Sequence, residues 1–592
     1  MFCKRTKTQF VITILIILIA TVEGCARRTG VERLGVMAIE NLSSDAQLDW
    51  RSRAAAAAVV YDLAGARKIF AKQVDSISAA QSMQASRLLE GYFFERNGRI
   101  CIRATLEDLG KRKAVESLEV DGPAAAGFLP VANELARRLS SDARTFGTSN
   151  ENAFRFYGEA LTVRDPRAVE RALQQATDAD PGFAEGYVDE AKVLAETGDR
   201  ERALRVARAE ERARLDRIDR ANLQYVAATA SGGATARIKA LESMTAAAPA
   251  NADIFKELGE MRFAQREFQH AAAEYRAAAR LDPDEPQIWN ELGYALAWAK
   301  DLNNAREALA EYQRLAPEDA NVLDSQGEVS YFRGDFNAAG EYFDRAAAKN
   351  PSEFVKAAEA RLMMGDLQGA DALFLKRLGP AGRAQGAGGD YQIAQWEFLT
   401  GRRKEGTTRM EKLAPALTGD SQALALSQLA TWKLQMGDRE AARDLANQAV
   451  ARSQSTQVRV ISEVCRYIAA GASTSSSSKM ADAYALLFAK KFREALPFLR
   501  AAEAETNPSA DGQVRTLLAW AYLETGAVDK AADLVDPYPL PLSSSDTLFA
   551  SLIFPRYLYV RSAVLQHQGK ADEAKKLYQL YLKYGGTDAA MN

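Results

Sequence analysis

Three glycines of this chain, Gly259, Gly293 and Gly327, stand 34 residues apart, each inside an apolar pattern of helical spacing. Glycine in a helix interior costs about 1 kcal/mol against alanine, so its repetition needs a packing reason. Other residue types keep the same interval: Ala271, Ala305 and Ala339, then Pro283, Pro317 and Pro351. Phe255, Trp289 and Leu323 precede the glycines by four residues, and Tyr275, Leu309 and Phe343 follow the alanines by four. Self-similarity at this period predicts stacked supersecondary units rather than one globular core. Antiparallel helices approach closely where small side chains face each other, so Gly293 and Ala305 mark the seam of a hairpin. Trp289, Leu292, Leu296 and Leu309 fill the space beside it. Pro317 has no amide hydrogen to give, so it ends one hairpin and resets the chain for the next.

Small residues, large residues and proline in this arrangement resemble the tetratricopeptide repeat. Weaker copies follow once the register is known: a turn glycine with alanine five residues later recurs at Gly198/Ala203, Gly334/Ala339, Gly365/Ala370, Gly437/Ala442, Gly526/Ala531 and Gly569/Ala574. Ten or eleven helical pairs are expected between about residue 150 and the C-terminus. Three stretches, Gly379–Asp390, Ala472–Lys479 and Pro537–Asp546, read as loops that interrupt the stack. The expected fold is mainly α, a tetratricopeptide α-solenoid (superhelix) preceded by a small α/β domain. Its repeats span 149–380, clearest at 252–353, with divergent repeats over 381–592. Such arrays are held by contacts between neighbouring units.

The N-terminus carries Lys4, Arg5 and Lys7, then an apolar run of 13 residues from Phe10 to Val22. A membrane-spanning helix needs about 20, so the run reads as the core of a secretory signal over 1–24. Val22-Glu23-Gly24-Cys25 resembles a bacterial lipobox, Glu23 being its one departure. The resemblance implies lipid attachment at Cys25, a lipidated linker over 25–30, and the periplasmic side of the outer membrane, since Ala26 rather than aspartate follows the cysteine. The alternative is an uncleaved signal anchor in the inner membrane with the rest of the chain on the periplasmic side.

Between residues 31 and 148 the periodicity changes. VERLGVMAIENLS alternates as a strand, with Leu34, Val36 and Ala38 on one face and Gly35, Met37 and Ile39 on the other. WRSRAAAAAVVYDLAGA is a helix, RKIFAKQV a second strand and SISAAQSMQASRLL a second helix. Asn97-Gly98 signals a tight turn between two β-rich runs, with Ile100, Ile102, Ala104 and Leu106 pointing inward. A helix over PAAAGFLPVANELARRL closes the domain. Glu40-Asn41-Leu42-Ser43, Leu89-Glu90-Gly91 and Asn97-Gly98-Arg99 resemble the small α/β domain of the TolB-amino-terminal/FlgO/CsgG group. In place of that group's tryptophan-containing third strand stands AVESLEV. The resemblance implies an envelope-associated adaptor or regulatory role and transfers no catalytic residue.

A formal net charge of −2 over 592 residues offers no electrostatic attraction to nucleic acid. Beyond Cys25 only Cys101 and Cys465 remain, in different expected domains, which read as buried thiols. The two histidines, His270 and His567, fall at surface positions of repeat helices. No HExxH, paired CxxC or GxxxxGK[ST] pattern occurs. The chain is therefore expected to be no enzyme and to need no cofactor or metal.

What remains is binding of a protein or peptide. The repeat resemblance implies that the first helix of each pair lines a concave surface. Its solvent-facing positions are expected to be Lys256, Glu260, Phe263, Asn290, Tyr294, Trp298, Asp324, Glu328 and Tyr331. Tyr294, Trp298 and Tyr331 would anchor a partner and the polar residues orient it; for Trp298 and Phe263, packing within the stack fits equally well. Glu260 stands where a carboxylate clamp needs asparagine, so no terminal-carboxylate receptor is expected. The expected function is thus a non-enzymatic scaffold of the cell envelope, membrane-held through its N-terminal lipid. The alternative is an envelope sensor or regulatory subunit whose α/β domain binds a ligand.

Overall fold

The computed structural model describes residues 31–208, 214–384, 386–471, 478–508, 511–536 and 548–585. The leader, Cys25, most of the serine-rich stretch from Ala472 and all of Pro537–Asp546 lie outside the described residues.

The chain begins with an α/β module. Five strands, β1 (Glu32–Asn41), β2 (Ile69–Gln73), β3 (Arg87–Arg96), β4 (Arg99–Asp108) and β5 (Lys113–Pro123), form one sheet in the order β2-β1-β3-β4-β5. Three helices accompany it: α1 (Trp50–Leu63), α2 (Ile77–Ser82) and α3 (Leu129–Leu139). β1 runs parallel to β2 and β3, while β3, β4 and β5 form an antiparallel meander. Asn97 and Gly98, at φ 53° and 70°, make the tight turn expected between β3 and β4. Ile100, Ile102, Ala104 and Leu106 all point into the core.

Two local expectations are corrected. The register of β1 shifts between Val36 and Ile39, a bulge that swings Ile39 into the same core cluster as Leu34 and Val36. The second helix is shorter than its sequence pattern, because Ser76 caps it at the Ala79 amide and Gln84, at φ 53°, ends it.

Twenty-five helices follow, arranged as pairs: α4 (Glu151–Ala160) with α5 (Pro166–Ala179), α6 (Ala184–Glu196) with α7 (Arg200–Ala207), α8 (Arg217–Ser231) with α9 (Ala234–Ala247), α10 (Ala252–Ala264) with α11 (Phe268–Leu281), α12 (Pro286–Trp298) with α13 (Leu302–Leu315), and α14 (Ala320–Phe332) with α15 (Phe336–Lys349). Then come α16 (Phe354–Met363) with α17 (Leu367–Ala384), α18 (Gly386–Leu399) with α19 (Arg403–Leu413), α20 (Gly419–Gln435) with α21 (Arg439–Arg452), the unpaired α22 (Thr456–Ala470), α23 (Lys479–Phe488) with α24 (Phe492–Glu505), α25 (Gly512–Glu524) with α26 (Val528–Val535), and α27 (Ala550–His567) with α28 (Ala571–Tyr584). The described residues thus hold twelve pairs rather than ten or eleven. The loop expected at Gly379–Asp390 is helical on both sides of residue 385, in keeping with its alanines. The fold is a tetratricopeptide-type α-solenoid after a small α/β module.

The seams explain the glycines. A Cβ on Gly327 would lie 2.5 Å from Phe343 Cε1, one on Gly293 2.7 Å from Leu309 Cδ2, and one on Gly259 3.0 Å from the Tyr275 ring. In each hairpin the second helix drives a large side chain into space that only a hydrogen leaves open.

The chain divides into two compact units, one of residues up to Met261 with Ala273–Ile288, the other of Arg262–Ala272 with Trp289 onward. In the first, the core beneath the sheet continues through α1 and α3 into α4, α5 and Phe183, running past residue 148 without a break. Phe146 sits at its centre, edge-on to Tyr61, Phe154 and Tyr157. Tyr61 Oη donates to Asp219 at 2.8 Å, and Arg144 stacks 3.6 Å over the Tyr61 ring while pairing with Asp216 and Asp219. Arg33 pairs with the buried Asp282 at 2.7 Å. These contacts fasten the α/β module to the first repeats of its own unit.

Candidate functional site

In tetratricopeptide arrays the first helix of each pair supplies the inner surface, so the candidate site is sought there. The structure places the expected residues differently from a ligand-facing row. Lys256 is half-buried and Glu260 exposed on α10, as a surface site requires. Asn290, Trp298 and Tyr331 are instead buried, and Tyr294, Asp324 and Glu328 are half-buried and already partnered.

Tyrosines turn out to join successive repeats. Tyr294 Oη donates to Glu328 at 2.7 Å, and Tyr331 Oη to Glu359 at 3.0 Å. In the first unit, Tyr157 donates to Asp189 at 3.0 Å and Tyr225 to Glu257. Asn290 accepts from Ser325 at 2.8 Å, tying α12 to α14. Burial pushes the Tyr294 phenol well above its ordinary range, so it stays a donor at every physiological pH. Tyr294 and Tyr331 are therefore inter-repeat clamps. Tyr294→Phe removes the hydroxyl donor from Glu328, leaving it Lys356 alone, and is expected to cost about 1–3 kcal/mol in urea unfolding. A cost near zero would remove the clamp reading.

Trp298 is covered by the chain itself. It stacks on Phe268 at 5.7 Å and leans on Phe332 at 5.5 Å, and Arg515 of α25 lies 4.5 Å over its ring. The same return of the C-terminal helices recurs along the second unit. Arg266 pairs with the buried Asp511 at 2.6 Å and donates to the Glu503 carbonyl at 2.9 Å. Gln428 on α20 donates to the Leu548 carbonyl at 3.0 Å, and Gln435 to Ser551 at 3.2 Å. Tyr584 donates to the Leu362 carbonyl on α16, Lys583 to that of Gly365, and α18 packs on α27. Helix α27 is accordingly buried all round: Leu552, Phe554, Tyr557, Leu558, Val560 and Val564 are fully buried on different sides, and Arg556 and Arg561 are buried with them. The first helices α12, α16, α18 and α20 thus meet α25, α27, α28 or the residues just before α27, so the expectation of Trp298 as a solvent-facing anchor is corrected.

One polar cluster remains at that face. Lys356 Nζ lies 2.6 Å from Asp324, 2.8 Å from Glu328 and 3.3 Å from Glu353, all four groups half-buried. Three carboxylates share one ammonium. Burial, helped by Glu328, pushes the Asp324 carboxyl up to about 7 against the pull of Lys356. Sequence reasoning found Asp324 and Glu328 but missed Lys356, whose place in the weaker fourth copy of the repeat was the available signal.

The α/β module holds a second unusual group. Asp62 is fully buried, with neither carboxylate oxygen hydrogen-bonded. Burial pushes it up to about 8, opposed by Arg144 and Arg137. With its folded value above its unfolded one, it binds a proton in the fold that the unfolded chain releases. Stability it supports is full below about pH 4 and is lost as pH rises toward 8. Asp62→Asn, which cannot titrate, is expected to gain on the parent by of order 5 kcal/mol between those limits. Calorimetric scans of the full chain from pH 5 to 8 check this; an equal offset at both ends rejects it.

Cys465 is buried as expected, whereas Cys101 is half-buried because strand alternation turns it away from the core; neither forms a disulfide. His270 and His567 are exposed on helices. Among the described residues no group of three or more His, Cys, Asp or Glu could hold a metal, and no helix is long and apolar enough to cross a membrane.

No protein-family model and no curated protein matches the chain. Among solved structures it is similar to MamA from Desulfovibrio magneticus, at 20% identity over 28% of this chain and 97% of that one, with a TM-score of 0.25. It is also similar to PilF of Pseudomonas aeruginosa, at 18% identity over 33% of this chain and 92% of that one, TM-score 0.25. A third is the C-terminal part of a TPR repeat-containing protein from Cytophaga hutchinsonii, at 14% identity over 38% and 93%, TM-score 0.33. With scores this low, the fold assignment stands on the hairpin seams themselves.

Proposed function

We propose that the chain is a non-enzymatic scaffold of the bacterial cell envelope that holds a protein partner on its repeat array. The leader and lipobox-like Val22–Cys25 support export and lipid attachment at Cys25, with the periplasmic side of the outer membrane as the destination. An inner-membrane signal anchor is the alternative. The α/β module, similar in its motifs to the TolB-amino-terminal/FlgO/CsgG group, sits next to the anchor in sequence.

The observation that carries the scaffold reading is the Asp324, Glu328, Glu353 and Lys356 cluster, in which three carboxylates share one ammonium. A partner segment bearing lysine or arginine complements it, and the polar Lys256 and Glu260 hold the same repeat positions two repeats earlier in the sequence. Full-length protein and an Asp324→Asn/Glu328→Gln variant are used to capture partners from envelope extracts. Loss of the captured protein with melting unchanged supports the reading; full retention defeats it. Palmitate labelling that disappears in Cys25→Ser tests the anchor separately. A second reading, of a sensor whose α/β module takes a ligand, is favoured by a cavity in the first unit.

A further inference from the structure

Within the first unit, α1 and β2 of the α/β module meet α8, α9 and α10 around a cavity of about 230 Å3. Eleven of its thirteen lining residues are apolar, among them Val60, Phe70, Ile218 and Ile254, and none is charged. The other two are asparagines. Asn251 Oδ1 accepts from the Asp253 amide at 3.0 Å and caps α10. The Asn222 side chain makes no hydrogen bond among the described residues, so its amide is available to whatever enters.

The geometry points to a binding site for a small uncharged molecule, about one ring or one branched chain in size, carrying a single hydrogen-bonding group read by Asn222. An apolar cavity of about 150 Å3 already takes a benzene-sized guest, and this one is larger. A charged guest is excluded by its lining, because no side chain there offsets the cost of leaving water. A guest touching Asn222 is held by its polar group as well as by contact area, the usual division of labour in small-molecule sites.

The location gives the site a consequence. Its walls come from both the α/β module and the repeats, so a guest binds the joined arrangement and not the separated parts. Ile218, on one wall, lies between Asp216 and Asp219, the two carboxylates held by Arg144. Gly65, just after α1, approaches so closely that a Cβ there would lie 3.3 Å from Ile218 Cδ1. A guest therefore presses on the residues that already fix the seam. This inference rests on the sensor reading and is independent of the scaffold reading, whose partner capture stands or falls by the acidic cluster.

The test uses full-length protein with phenol and benzene as probes, followed by titration calorimetry and by melting temperature. Expected are saturable phenol binding, weaker benzene binding, and a melting temperature that rises with probe concentration. Filling the cavity with Ala248→Leu is expected to weaken both probes at least about tenfold. Asn222→Ala is expected to bring phenol down to the level of benzene, and it serves alone if Ala248→Leu does not fold. Absence of phenol binding at millimolar concentration, or phenol binding unchanged in either variant, overturns the proposal.

Discussion

A Gly327→Val variant is expected to lose 3 kcal/mol or about that from the stability of the second unit. Its Cβ would stand 2.5 Å from Phe343 Cε1 and 2.6 Å from Cδ1, closer than carbon atoms pack, so α14 and α15 must part or the ring must move. The ring is fully buried and has no ready alternative position. Glycine-to-alanine changes in helices ordinarily gain about 1 kcal/mol through propensity and glycine-to-valine changes less, so the seam and propensity oppose each other and the seam wins. Gly388→Ala in α18, where nothing lies within 4 Å of the added carbon, is expected to have the opposite sign. Gly327→Ala combined with Phe343→Leu is expected to recover most of the loss. Urea unfolding of the four proteins decides: equal stabilities for Gly327→Val and the parent contradict the seam account.

Phe554→Ala is expected to cost 3–5 kcal/mol or thereabouts, the range for emptying a fully buried phenylalanine site, roughly that seen in other cores. The side chain lies in α27, 5.9 Å from the Tyr584 ring, on the helix that packs against α18 and α25. Because α27 is surrounded by its own repeats, the damage is expected far along the sequence. Hydrogen exchange should accelerate around Gln428 and Gln435 of α20, whose side chains bond Leu548 and Ser551. Faster exchange confined to α27 and α28 would show instead that the last helices are a separate appendage.

The local part of this structure was readable from residue types alone. Gly293 against Leu309, the Asn97-Gly98 turn and the inward Ile100–Leu106 alternation each involve partners a few residues or one hairpin apart. Their signals are periods and turn pairs, which a sequence displays directly. The return of the C-terminal helices is different in kind. Arg266 with Asp511, or Gln428 with Leu548, join residues whose separation obeys no period. The available clue was α27 itself, whose large apolar residues fall on every side where a surface hairpin would keep them to one. The tyrosine clamps had a clue too: Tyr225 and Glu257, or Tyr294 and Glu328, lie about one repeat apart. Side chains that look like ligand anchors on a helical wheel can equally be bolts between neighbours, and burial rather than residue type separates the two roles.

Arrays of this kind ordinarily gain or lose a hairpin with little harm, since each unit touches its neighbours alone. Here Arg266, Trp298, Leu362 and Gln428, spread over several hairpins, each have an assigned counterpart in the returning segment. Removing one hairpin between them would shift every later counterpart by a full step. The tally of repeats in the second unit is therefore locked, and during synthesis that unit stays unfinished until its final helices have left the ribosome.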